Sequence, residues 1–389
     1  CASCSQDCGT CSTGNTITAA SCNLADVQAA VDAAQGADSY LNGDVVKVPA
    51  GTCEWTGTLT INKGITVMGA GKDKTHIIKP PNTTSPFTGY STNQGFRLTG
   101  FHLKQTTVEP KYANRIYKAP QGFRVDNNFI DHDQDTGESV RGFTISSSES
   151  EGMAYGVFDN NEFKNSSIIS SGVSLTCALG WMSEPSTLGT EKAVYFEDNK
   201  TWRTAGSRNF IDAENGKSIV ARFNEVIGAY VLTHAARYST LDCPRRGTRY
   251  WEIYGNNFSH TGDWWQRSIN MEAGTGVIFD NDMSGNFVEE IQLNIHYRRD
   301  GGCTGQSLAD GNLGDSYPDG YWCRDGIGRA TDEFEWSNES GPIPAQTLEP
   351  AYFWDNTYPV AINLGEDAPY IKQNRDYYED DDAHMQSGT

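Results

Sequence analysis

The sequence predicts an all-β solenoid, a stack of short coils, rather than a globule with one closed core. The first observation behind this is a strand-like line that recurs along the chain: FRVDNNFI at 123–130, YGVFDNNEF at 155–163, VYFEDNKTW at 194–202, SIVARFNEVI at 218–227, RYWEIYGNNF at 249–258, TGVIFDNDM at 275–283 and PAYFWDNTY at 350–358. Its apolar and polar residues alternate, the period of a strand with one buried face. The second is that each line runs into Asn, which tolerates left-handed backbone and bonds to nearby main chain, and so marks a turn. The third is spacing. The leading Asn residues, Asn128, Asn161, Asn199, Asn224, Asn257 and Asn281, follow one another at 33, 38, 25, 33 and 24 residues, in the range of repeat architectures.

In chain order, residues 1–22 form a Cys-rich arm without periodicity. NLADVQAAVDAAQ at 23–35 reads as a short amphipathic helix, with Asn23 as N-cap and Leu24, Val27, Val31 and Ala34 along one face. A solenoid must cover its first open coil, and this helix is placed to do so. DVVKVPAGTCEWTGTLTINKGITVMGAGKDKTHIIKP follows at 44–80. Residues 81–121 include a loop, and regular coils run from 122 to about 297 with insertions near 145–152 and 180–192. A long Gly-, Asp- and Cys-rich loop spans 298–345, a last coil carries PAYFWDNTYPVAINL at 350–364, and 376–389 is an acidic tail.

The succession of helix, V-x-V-P-A-G-T, T-L-T-I and K-G-I-T-V-M-G-A-G resembles the first coils of proteins in the pectate-lyase-like superfamily. GTGVIFDNDMSG, YWCRDGIGRATDEF and LEPAYFWDNT resemble segments of secreted β-helix proteins without an established activity. The resemblance covers roughly residues 23–375. It implies a right-handed parallel β-helix with a short N-terminal capping helix. It leaves function open, because that superfamily includes lyases, hydrolases, phage tail spikes, adhesins and structural proteins.

At 389 residues the chain exceeds the usual single-domain size, but each coil of a solenoid packs only on its neighbours, so one elongated domain over 23–375 is expected. A formal charge of −20, from 30 Lys and Arg against 50 Asp and Glu, opposes nucleic acid and anionic membrane as partners. No apolar run has the length of a membrane span. Ten cysteines, an even number, point to disulfides and an extracellular or cell-surface location. Cys22–Cys53, Cys177–Cys243 and Cys303–Cys323 are the expected pairs. Cys1, Cys4, Cys8 and Cys11 also have a spacing that suits zinc or an iron–sulfur cluster.

Positions that repeat from coil to coil should stack. Aligning FIDAENG (210–216), VLTHAAR (231–237), SINMEAG (268–274) and IQLNIHY (291–297) brings Asp212, His234, Glu272 and His296 to one stripe, with Arg237 close by. A lyase acting on a uronate glycan needs a cation or Arg against the carboxylate and a base for the neighbouring proton, and a glycosidase needs two carboxylates. A ladder of ion pairs between coils is the structural alternative. DHDQDTGE offers Asp131, Asp133, Asp135 and Glu138 as hard oxygen ligands for calcium, or as a solvated acidic turn. Trp251, Trp264 and Trp265 are candidate sugar platforms. No cofactor is required by any of these patterns. The expected function is an extracellular structural or adhesive protein that self-associates through its termini into a fibre or layer. The alternatives are a lyase-type polysaccharide-degrading enzyme and a glycan-binding phage-type spike.

Overall fold

The structure, a computed structural model, describes residues 14–81, 86–90, 94–106, 114–117, 122–133, 141–147, 154–173, 188–204, 208–235, 247–260, 267–295, 325–329, 348–357, 362–365, 368 and 371–379. The chain divides into two compact units, Cys1–Ile168 with Val194–Gly206, and Ile169–Ala193 with Ser207–Thr389. Each is a right-handed parallel β-helix whose successive strands visit three parallel sheets in turn.

In the first unit, one sheet stacks Thr16–Thr18, Val45–Val48, Thr66–Gly69, Phe96–Thr99, Phe123–Asp126, Gly156–Asp159 and Val194–Glu197. A second stacks Gly51–Glu54, Thr75–Lys79, His102–Gln105, Phe129–His132, Glu162–Lys164 and Lys200–Trp202, and a third begins at Leu59–Ile61. In the second unit the corresponding sheets are Ser218–Arg222, Tyr250–Tyr254, Thr275–Phe279, Ala351–Trp354 and Tyr377–Glu379; Glu225–Ile227, Asn257–His260 and Asp282–Gly285; and Arg208–Glu214, Ala229–Thr233, Arg267–Met271 and Glu289–Leu293.

The period-two pattern sorts the side chains. Val125, Phe158 and Phe196 share one register row and are fully buried, while Arg124, Val157 and Tyr195 alternate to the outer face. Phe158 and Phe196 stack with ring centroids 5.5 Å apart, adding an aromatic contact to the burial of each ring. Where neighbouring coils approach too closely for a Cβ, the residue is Gly. A Cβ at Gly276 would lie 1.7 Å from the Trp251 carbonyl oxygen, and φ there is +159°, a backbone that L side chains rarely adopt.

The helix Leu24–Ala33 covers the first coil, burying Val27, Ala30 and Val31. Asn23 takes the N-cap position but its side chain makes no cap bond; Ser21 Oγ instead donates to Asp26 in the first turn. Gln28 works as a substitute strand: its amide oxygen accepts from Thr60 N–H at 3.0 Å and its amide nitrogen donates to the Thr60 carbonyl at 3.3 Å. These bonds satisfy the open edge of Leu59–Ile61. A disulfide joins Cys22 to Cys53 as expected, and Trp55 Nε1 donates to the Cys22 carbonyl.

The Asn turns connect the first sheet of each unit to the second. In the first unit Asn128, Asn161 and Asn199 form a ladder: Asn161 Oδ1 accepts from the Asn128 N–H at 3.0 Å and Asn199 Oδ1 from the Asn161 N–H at 3.0 Å. Each Nδ2 donates to a carbonyl of the preceding coil, Leu98, Val125 and Phe158 respectively. In the second unit the ladder is Asn224, Asn256, Asn281 and Asn356. The turns differ from the sequence expectation in two respects. Asn257 is an exposed residue at the start of its strand, and Asn256 is the ladder member. The left-handed residue is the one before each ladder Asn, namely Asn127, Asn160, Asp198, Phe223, Gly255, Asp280 and Asp355. Ladder Asn side chains do the main chain's hydrogen bonding where the backbone turns out of the sheet.

Candidate functional site

The site lies in the second unit on the sheet that begins at Arg208–Glu214. A bulge between Asn209 and Ile211 sets the register, after which Ile211, Val231, Ile269 and Ile291 align and point inward. Asp212 therefore lies on the outer face in the row of Leu232, Asn270 and Gln292. One residue past their strands, His234, Glu272 and Asn294 continue the ladder, donating to the carbonyls of Ala213, Thr233 and Met271. They form the next outer row.

Asp212, His234 and Glu272 come together, as the coil alignment expects. His234 Nε2 is 3.0 Å from Asp212 Oδ1, and His234 Nδ1 is 3.2 Å from Glu272 Oε2. Both ring nitrogens thus face carboxylates on neighbouring coils. The three side chains are only 14, 13 and 3% exposed. Burial alone would lower the His234 pKa, but the hydrogen bond and charge of Asp212, followed by those of Glu272, outweigh it and push it up to about 10. At neutral pH His234 is an imidazolium, hydrogen-bonded through Nδ1 to Glu272 and ion-paired through Nε2 with Asp212, with no lone pair to take a proton.

The neighbouring side chains are also paired with one another. Asn294 Nδ2 donates to Asn270 Oδ1 at 2.6 Å, and Arg267 Nε donates to Glu289 Oε2 at 2.6 Å. Glu289 Oε1 accepts from Asn363 Nδ2 at 2.7 Å. Burial, with the Asp212 charge next, raises the Tyr230 pKa and keeps its hydroxyl protonated. The first unit has the same construction in other residues, Arg97 on Asp126 at 2.6 Å and Arg124 on Asp159 at 2.7 Å. The His234 cluster is a cross-coil ion-pair ladder of this kind.

Arg237, His296, Trp264, Trp265, Asp135 and Glu138 lie outside the described residues, as do Cys177, Cys243, Cys303 and Cys323. Trp251 is corrected from sugar platform to core: it is fully buried and Nε1 donates to the Ala273 carbonyl at 3.0 Å. Asp131 and Asp133 already hold side-chain cations, Asp131 with Lys164 at 3.0 Å and Asp133 with Lys104 at 3.0 Å. Against the effect of burial, hydrogen bonds from His102 and Lys164 bring the Asp131 pKa down to about 2. Among the described residues no group of three or more His, Cys, Asp or Glu is arranged around a metal position.

The sequence reading passes over His76 and His102. They face each other in register on Thr75–Lys79 and His102–Gln105, with Nδ1 atoms 3.2 Å apart. Their separation of 26 residues, one coil, was the available signal.

No protein-family model and no curated protein matches the chain. Among solved structures it is similar to a chain described as Geobacillus virus E2 ORF18, at 13% identity and a TM-score of 0.35, over 71% of this chain. The match spans 62% of that protein's length.

Proposed function

We propose that the protein is an extracellular structural or adhesive β-helix that assembles with copies of itself into a surface fibre or layer and performs no catalysis. The observation that carries this reading is the His234 cluster. The residues best placed for catalysis use both nitrogens of the one imidazole to bind carboxylates on adjacent coils, which serves cohesion and removes the base a lyase would need. The Cys22–Cys53 disulfide supports an oxidising location. Self-association is supported by the strands that end their sheets among the described residues, Thr16–Thr18 in the first unit and Tyr377–Glu379 in the second, because terminal strands offer backbone groups to another chain.

Sedimentation and electron microscopy of the full chain over a wide concentration range test the proposal. Rods or layers that grow with concentration are expected, and a protein that stays monomeric at the highest concentration contradicts it. A second reading, a lyase-type enzyme or glycan-binding spike, is favoured by the gathering of two carboxylates and a histidine on one outer face. Unsaturated ends released from a uronate polymer by wild type, and lost in His234→Ala, would support that reading instead.

A further inference from the structure

The second sheet of the first unit places two imidazoles where a metal ion would fit. His76 and His102 are register partners on adjacent coils. Their ring centroids are 5.0 Å apart, and the rings are tilted by 57° rather than stacked. The tilt brings the two Nδ1 atoms to 3.2 Å. Two imidazole nitrogens bound to one tetrahedral ion, each at about 2.05 Å, lie about 3.3 Å apart. The pair therefore has the bite of a transition-metal chelate before any ion arrives.

The surroundings orient the His102 ring. His102 Nε2 lies 3.4 Å from Asp131 Oδ2, and its Nδ1 is hydrogen-bonded to His76 Nδ1; with the His102 proton on Nε2, its Nδ1 accepts from His76 Nδ1–H, and an ion entering between the rings displaces that proton. The His102 ring stacks on Phe129, with centroids 4.6 Å apart and planes 24° from parallel. Lys104 on the His102 strand is held by Asp133, and Lys164, two coils on, by Asp131, so their charge is partly offset at the pair. His102 remains 14% exposed along its side chain.

We propose that His76 and His102 form a two-imidazole site for a divalent transition ion of the copper, nickel or zinc class, with water completing the coordination and Asp131 as positioning residue for His102. Imidazole prefers these ions to calcium or magnesium, and copper should bind most tightly. The site is independent of the His234 cluster and of the assembly proposed above.

Calorimetric titration of Ni2+ and electron paramagnetic resonance of added Cu2+, both on the full oxidised chain, test the site. His76→Ala and His102→Ala should each bind one ion fewer than wild type, and the copper spectrum should lose a species split by two nitrogens. Comparing variants with wild type subtracts ions held elsewhere, such as on the Cys-rich arm. His76→Gln, which removes the ligand but keeps a polar side chain, should behave as His76→Ala. Asp131→Asn should keep the stoichiometry and weaken Ni2+ about tenfold or more, the usual effect of losing a carboxylate behind a ligating histidine. Unchanged stoichiometry and affinity in both His variants would overturn the proposal. A measurement free of substitutions is Cu2+-induced broadening of the His76 and His102 ring signals in the wild-type chain. Rings that stay sharp while Cu2+ binds would overturn it as well.

Discussion

Replacing His234 by Ala removes the cation that, among the described residues, lies between Asp212 and Glu272, whose side chains are 14 and 3% exposed. The size of the effect follows in two ways. Moving the His234 pKa from 6.5 to about 10 corresponds, at about 1.4 kcal/mol per unit, to an upper bound of roughly 5 kcal/mol. Breaking a buried ion pair by deleting one partner costs about 3–5 kcal/mol. The sign is fixed by the direction of the shift. A raised folded-state pKa means the stabilisation is complete below pH 6.5 and is lost as pH rises toward 10. In urea unfolding, the gap between wild type and His234→Ala should therefore be widest at pH 6.5–7 and close as pH rises toward 10; taking the difference removes the opposite slope of buried Lys217, whose pKa is held down to about 7. Amide exchange along Ala229–Thr233 keeps the reading local, since repeat arrays need not unfold in one step. A variant within about 1 kcal/mol of wild type at pH 7, with the same pH profile, would refute the ladder reasoning. The triple change Asp212→Asn, His234→Gln, Glu272→Gln should recover much of the loss, because a neutral polar row has no charge to strand.

Three further outcomes follow from the coils. Asn161→Ala strips partners from the buried Asn128 N–H and the Val125 carbonyl, so a loss of about 2–4 kcal/mol is expected in denaturant midpoint analysis. Gly255 has φ +63° and a Cβ there would lie 2.7 Å from Phe223 Cδ1; Gly255→Ala should cost about 1–2 kcal/mol, and less in a Phe223→Asn background, as a double-mutant cycle would read. Reducing Cys22–Cys53, which closes a separation of 31 residues, should cost about 3–4 kcal/mol and open the helix Leu24–Ala33 first, seen as faster exchange at Val27 and Val31.

The coil architecture and the Asp212–His234–Glu272 cluster were legible because a solenoid repeats position along with structure, so aligned segments become neighbours to within a row. Asn257 was misread because two Asn follow each other there. The structure supplies the rule: the ladder residue comes directly after the left-handed one, which is Asn127 before Asn128 but Gly255 before Asn256. Trp251 was misread although its parity with the buried Ile253 points inward. What the sequence could not supply was the charge state of His234, since that depends on burial and on which carboxylate each nitrogen meets. The His76–His102 pair was missed because no line motif surrounds it, only a spacing of 26 residues.

The asparagine ladder separates what must be copied from what is free to change. Consecutive members are 33 and 38 residues apart in the first unit, and 32, 25 and 75 apart in the second. The bonds between them keep the same pattern throughout. In the coils that carry it, the ladder supports register with one side chain per coil, and it is indifferent to the length of chain in between. Whole loops can lengthen, shorten or be exchanged at the other corners while the stack keeps its alignment. A scaffold built this way can diversify its flanks without relearning how to fold.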